Sequence, residues 1–303
     1  MNTEFAIVTA EHCYLRGSAG SSALVNESGI EDEIFSGWAV RLISEKTNGW
    51  VQIETHYGYT GYVKTSELRP VNEEELKERQ DKTRFFRMGA FEADLLSVPK
   101  VQGLPKELIL KNAFVELLEH VEDGWSRIRT AAGNEGYVHT VYLTERKDDD
   151  DFLLKHETVS SGYFRRRYRN APADEAAFRT AVTESALAYL GTQYRWGGKS
   201  SQGLDCSGLA FMSYFENGVL IYRDANIKPD FPMQEITVEM LKPGDLIFFP
   251  GHVAIYLGND KFVHSTGYSK TPCVTINSLN PVDEDYREDL ATQITACGSL
   301  FGA

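Results

Sequence analysis

Three residues carry the types and spacing that could do chemistry. In Leu204-Asp205-Cys206-Ser207-Gly208-Leu209-Ala210-Phe211-Met212 a cysteine stands where a glycine-rich loop turns into an apolar-periodic segment, which predicts a helix. A thiolate there gains from the unpaired amides and positive dipole end of a helix start, which lower a cysteine pKa. The same amides are placed to receive the oxyanion that forms when sulfur attacks a carbonyl. A buried structural cysteine at a helix start fits the pattern equally well, so Cys206 alone does not decide the matter.

Downstream, in Pro243-Gly244-Asp245-Leu246-Ile247-Phe248-Phe249-Pro250-Gly251-His252-Val253-Ala254, His252 opens a predicted strand directly after a Pro-Gly turn. A lone histidine there is commonly structural. A nucleophilic thiol, however, needs a group that takes its proton and later protonates the leaving amine, and imidazole suits neutral pH. His264 follows 12 residues later on the next predicted strand, where it can hold the first ring in its useful tautomer. Side chains alternate along a strand, so the two rings share a face only across a loop of odd length or a bulge. A three-residue loop, Gly258-Asn259-Asp260, sets His264 opposite Ala254 and diagonal to His252, about 7–8 Å away before the rings close the gap. A plain two-residue turn sends them to opposite faces. The expectation is the odd loop or a bulge.

Together with Tyr194-Arg195-Trp196-Gly197-Gly198, these segments resemble the NlpC family of papain-like cysteine peptidases, over about 185–270. The resemblance implies Cys206 as nucleophile, His252 as base and His264 as the polar orienter. It matches Tyr194 to a tyrosine lining the oxyanion side, although a packed core aromatic explains that residue too. It implies that Asp205 and Ser207 contact substrate and that Asp224 helps to hold a free amino terminus. Ala225 stands where the family often has a serine, which removes one hydrogen bond from that anchor. No metal and no cofactor are implied.

The elements that must position these groups read as α+β: a helix packed on an antiparallel sheet. Residues 173–190 have helical periodicity, with Phe178, Val182, Ala186 and Leu190 on one stripe and Gly191 as a stop. Predicted strands are 245–249, 252–257, 261–266 and 273–277. Upstream lies an internal repeat: residues 48–68 align without gaps to 123–143, with ten of 21 positions identical. Each copy reads as short alternating strands between glycine-rich turns. The pattern resembles two bacterial SH3-like β-barrels, often attached to cell-wall enzymes. The expected domains are 1–71, 83–147 and 155–303, with an exposed helical linker around 72–79 and acidic Asp148–Asp151 at the second boundary. Two such modules before the peptidase resemble the γ-D-glutamyl-L-diamino acid endopeptidases, which release L-Ala-γ-D-Glu from murein peptides with a free N-terminal L-Ala. By that resemblance the first module walls the cleft and supplies a tyrosine and an acid. Tyr59 is the candidate tyrosine, since the second copy has Asn134 there. Glu33 is the candidate acid, with Glu27 and Asp32 as alternatives and an exposed surface carboxylate as the plain reading of all three.

The formal charge of the 303 residues is −13, which repels a phosphate backbone; the run Arg165-Arg166-Arg167 with Arg169 reads as a solvated turn, so nucleic acid is not expected. No apolar run reaches the length of a bilayer span, and no membrane partner is expected. The first twenty residues lack the basic and apolar regions of a signal peptide, which gives a cytoplasmic location as the expectation, with a trimmed exported protein as the alternative. Cys13, Cys206, Cys273 and Cys297 have no CxxC spacing; Cys13, Cys273 and Cys297 read as small buried hydrophobes. The expected partner is a small murein peptide, with no obligate protein partner. Alternatives are a surface hydrolase anchored to intact wall by its SH3-like modules, and a non-catalytic wall-peptide binder with an inert thiol.

Overall fold

The computed structural model describes residues 4–20, 29–146, 174–229 and 231–301. The chain forms two compact units, Met1–His156 and Glu157–Ala303. The linker acids 148–151, the arginine run at 165–169 and Glu27 lie outside the described residues.

In the first unit, strands β1–β7 are Phe5–Val8, His12–Arg16, Ile30–Phe35, Ala39–Leu42, Trp50–Thr55, Thr60–Lys64 and Leu68–Val71. Strands β8–β14 are Phe85–Met88, Glu92–Leu96, Pro105–Leu110, Phe114–Val121, Trp125–Arg129, Glu135–His139 and Leu143–Thr144. The two sheets run in the same order, β3-β2-β6-β5-β4-β1-β7 and β10-β9-β13-β12-β11-β8-β14. The repeat therefore reaches further upstream than the ungapped alignment. β1 and β2 match β8 and β9 at an offset of 80 rather than 75, because the β2–β3 connection is five residues longer than its counterpart. Alternation is clear in β5 and β6, where Val51, Ile53 and Val63 are buried and their neighbours are not. The repeated glycine before Tyr-Val has a steric cause. A Cβ on Gly61 would meet Leu15 Cβ at 2.8 Å, and one on Gly136 would meet Leu96 O at 2.6 Å. The two SH3-like modules pack on each other: Trp38 Nε1 donates to Asn112 O at 2.8 Å, and the Phe114 amide to Ser36 O at 2.9 Å. Between them the short helix α1, Glu73–Glu78, is capped by Asn72, but it is not simply exposed as expected, for Leu76 is buried.

In the second unit, α2 is Glu175–Leu187 and α3 is Cys206–Phe215. Strands β15–β22 are Lys199–Ser200, Gly203–Leu204, Gln234–Ile236, Leu246–Phe249, His252–Gly258, Lys261–Ser265, Val274–Ser278 and Ala296–Ser299, with α4 at Glu288–Ala291. One antiparallel sheet runs β17-β22-β18-β19-β20-β21, and α3 packs against β19 and β20. All ten residues of α3 are buried, as its nearly unbroken apolar sequence requires. α2 stops three residues short of the expected stripe: Leu190 lies outside it and is exposed, while Arg179, Val182 and Ala186 face inward. Arg179 is buried because it holds Asp245 Oδ1 at 2.8 Å and Pro243 O at 2.9 Å, tying α2 to the turn before β18. Cys13 and Cys297 are buried as expected; Cys273 is only half-buried, a correction to its reading as a core hydrophobe.

Candidate active site

Cys206 is the first residue of α3 and Asp205 is its N-cap, accepting from the Gly208 amide at 2.6 Å. The loop in front of the helix approaches so closely that a Cβ on Gly208 would sit 2.2 Å from Gly198 O, hence the glycine. Ser265 Oγ donates to Leu204 O at 2.6 Å and pins the same loop to β20. The amides of Ser207 and of Val253, the residue after His252, act on the Cys206 thiol to favour its charged form, so the sulfur lies near the start of β19.

The two histidines come together as the parity argument requires. Asn259 and Asp260 form a two-residue turn, both with positive φ (51° and 59°). A bulge between Tyr256 and Gly258 then shifts the register so that Ile255 faces Val263, which brings Ala254 opposite His264. The bulge, not a three-residue loop, restores the shared face. His252 Nε2 lies 2.7 Å from His264 Nδ1, and His264 Nε2 lies 2.9 Å from Asn277 Oδ1 on β21.

Electrostatically the site departs from the helix-dipole expectation. Burial pushes the Cys206 thiol up to about 12, and the neighbouring Asp205 charge adds to the rise; the Val253 and Ser207 amides and Arg223 pull the other way. Burial lowers His252 to about 3, with His264 contributing, and lowers His264 to about 4. Burial thus disfavours both an isolated thiolate at Cys206 and an isolated imidazolium at His252. A half turn of amides cannot offset near-complete desolvation of the sulfur.

Tyr194 is half-buried beside Leu204, and its hydroxyl is held protonated by burial first, then by Cys206 and Asp205. It is thus a donor close to the sulfur. Asp205 is buried and already occupied. Its carboxylate receives the Gly197 amide at 2.8 Å, the Gly208 amide, the Ser207 hydroxyl at 3.2 Å and Arg223 at 3.2 Å. These contacts organise the loop, and they take the Gly208 amide away from oxyanion duty. Ser207 accepts from Arg223 Nη1 at 2.8 Å and lines a cavity with Tyr222, Asp224, Lys228 and Phe231. Burial raises Tyr222 to about 12, and the neighbouring Asp224, by its charge and then by its side-chain hydrogen bond, adds to the rise. Arg223 and Asn277 escaped sequence reasoning. A single Arg in Tyr222-Arg223-Asp224 and a single Asn ending a strand form no pattern, although the charge of a buried Asp205 called for a cation.

In the first SH3-like module Glu33 sits on β3, fully buried, with Oε1 3.7 Å from His12 Nε2. Asp32 is equally buried and accepts from the Tyr57 hydroxyl. Neither is an exposed carboxylate. Tyr59 is half-buried in the β5–β6 turn, where its amide donates to Thr55 Oγ1 at 3.0 Å. Among the described residues no three His, Cys, Asp or Glu side chains gather as a metal site.

Residues 191–290 match the NlpC/P60 family model. The chain is 38% identical over 278 residues to "Dipeptidyl-peptidase 6" of Lysinibacillus sphaericus, covering 90% of this chain and 92% of that protein. It is 33% identical over 117 residues to "Gamma-D-glutamyl-L-lysine dipeptidyl-peptidase" of Bacillus subtilis, covering 36% and 38%. The crystal structure of an NlpC/P60 family protein from Bacillus cereus superposes with a TM-score of 0.69 over 97% of this chain and 98% of that one, at 21% identity, a likeness of fold. A chain this similar to a dipeptidyl-peptidase along nine-tenths of its length, with the family match falling on the helix-start cysteine and the paired histidines, belongs to the NlpC/P60 family and is a cysteine peptidase among the peptidoglycan-related hydrolases.

Proposed function

We propose that this peptidase hydrolyses the γ-D-glutamyl-L-diamino acid bond of small murein peptides with a free N-terminal L-Ala, releasing L-Ala-γ-D-Glu in the recycling of wall peptides. The observation that carries the reading is the cavity beside Ser207, which Asp224 helps to line; a carboxylate there suits a peptide's ammonium group. The similarity to two dipeptidyl-peptidases, one of them a γ-D-glutamyl-L-lysine enzyme, supports it. In this reading the Cys206 thiol gives its proton to the His252 nitrogen not bonded to His264, while sulfur attacks the γ-carbonyl carbon of D-Glu. The resulting oxyanion takes a hydrogen bond from Tyr194. His252 then protonates the departing amine of the diamino acid as the C–N bond breaks, leaving a thioester. Water, deprotonated by His252, cleaves the thioester and restores the thiol.

The test is to incubate the full chain with L-Ala-γ-D-Glu-L-Lys, its diaminopimelate analogue and N-acetylated versions of both, with Cys206→Ala as control. Dipeptide release from the free-amine peptides alone, abolished in the control, is expected. Equal cleavage of the acetylated peptides, or release from none of the four, overturns the proposal.

A further inference from the structure

Asn277 lies behind the histidine pair, and its own contacts decide which way its amide points. Its Nδ2 donates to Asp285 O at 3.0 Å. A carbonyl oxygen only accepts, so this end of the amide must be the NH₂ group and Oδ1 must face His264. Oδ1 also only accepts, so His264 Nε2, 2.9 Å away, must carry its hydrogen. A neutral imidazole has one N–H, which leaves His264 Nδ1 bare to accept from His252 Nε2 at 2.7 Å. His252 Nδ1 is then bare in turn, and it is the nitrogen left to take a proton from sulfur.

We propose that Asn277 is a positioning residue for the peptidase reaction, an amide clamped by a backbone carbonyl that selects the tautomer of His264 and, through it, leaves His252 Nδ1 unprotonated. The inference rests on the assignment of Cys206 and His252 as nucleophile and base. Burial keeps both rings neutral, which the tautomer argument needs. The charges that act on both rings are Arg287 and Asp289, of opposite sign, while the Asp285 carboxylate is engaged by Lys261. Without the Asn277 oxygen, nothing in this chain of contacts prevents the inverted arrangement. His264 Nδ1–H would then donate to His252, and His252 would present an N–H to the sulfur instead of a lone pair.

Two substitutions separate this role from simple loop anchoring. Asn277→Leu removes both the acceptor for His264 and the donor to Asp285. Asn277→Asp keeps the acceptor and removes the donor. Two-bond ¹H–¹⁵N spectra of the full chain with labelled histidine, recorded at neutral pH, read the tautomers directly; dipeptide release gives kcat and KM. In the Leu variant we expect His264 to lose its pure Nε2–H form and kcat to fall about tenfold with KM within about twofold, the scale of one neutral hydrogen bond. The Asp variant retains the Nε2–H form and recovers most of the lost kcat. An unchanged His264 tautomer in the Leu variant overturns the proposal. So does an Asp variant as slow as the Leu variant with its tautomer intact, the signature of an anchor for the Asp285 loop. Should the Leu variant not fold, the Asp variant's spectrum and rate decide the question alone. Undiminished release by Cys206→Ala would refute the nucleophile assignment while leaving the tautomer spectra untouched, so the two failures are distinct.

Discussion

Replacing His264 by leucine tests the charge logic of the site. In the proposed reaction His252 becomes an imidazolium when Cys206 gives up its proton, and its 2.7 Å contact with His264 changes from a neutral to a charge-assisted hydrogen bond. Such a bond contributes about 1.5–3 kcal/mol. That gain exists only once the proton has moved, so it lowers the barrier rather than strengthening substrate binding. At 1.36 kcal/mol per decade, losing it slows kcat by about tenfold to about 150-fold. Leucine is apolar, of similar bulk, and suits a fully buried position beside Phe262, so the fold should persist. The assay is steady-state release of L-Ala-γ-D-Glu from the free-amine tripeptide, with kcat and KM separated. His264→Gln, whose side-chain oxygen can still accept from His252, should recover part of the loss. A fall of less than about threefold, a loss confined to KM, or a glutamine variant that folds yet is as slow as leucine would show that His264 does not stabilise the charged intermediate.

Other outcomes follow from the same geometry. Both imidazoles are held low by burial, His252 at about 3 and His264 at about 4, whereas in the unfolded chain they bind protons near pH 6.5. Their contribution to stability is therefore complete above about pH 6.5 and is lost as pH falls toward 4, at roughly 1.4 kcal/mol per pH unit for each ring. Denaturant titrations at pH 7 and pH 5 should show it, and equal stability at the two values would refute the burial argument. Arg179→Leu strands the buried Asp245 charge and should destabilise the fold by about 3–5 kcal/mol in urea unfolding; a loss below about 1 kcal/mol would mean the pair is solvated. Asp224→Asn should raise KM for free-amine peptides by about tenfold with kcat within twofold, as expected of an ammonium anchor whose contact is the same before and during the reaction. A drop in kcat with KM unchanged would move Asp224 from anchoring to chemistry.

What could be read from the sequence was what local rules govern. The Asp-Cys-Ser-Gly stretch announced a capped helix start because capping chemistry is decided within four residues, and Asp205, Cys206 and Gly208 fill those roles. The histidine pairing was legible because strand alternation is a parity rule. Its mechanism was half-legible, since a bulge and a loop of odd length satisfy the same parity. The repeat was visible where strands and turns had kept their length and was lost upstream, where five extra residues break the alignment. Properties set by the surroundings were not legible. The sign of the Cys206 shift depends on how completely the sulfur is buried, and the occupation of Asp205 depends on Arg223 arriving from a later segment. Leu190 looked like core because periodicity cannot tell where a helix stops packing.

The tip of the β19–β20 hairpin is the kind of exposed, polar spot where proteins ordinarily gain and lose residues freely. Here that freedom is withdrawn. The two-residue turn and the bulge beside it act as an even-odd lock. Adding or deleting one residue, with no second change to compensate, would turn the His264 ring to the opposite side of the sheet and carry the buried Phe262 and Val263 of the same strand with it. Fold and site would be struck together, and only paired length changes in this hairpin would be compatible with a working enzyme.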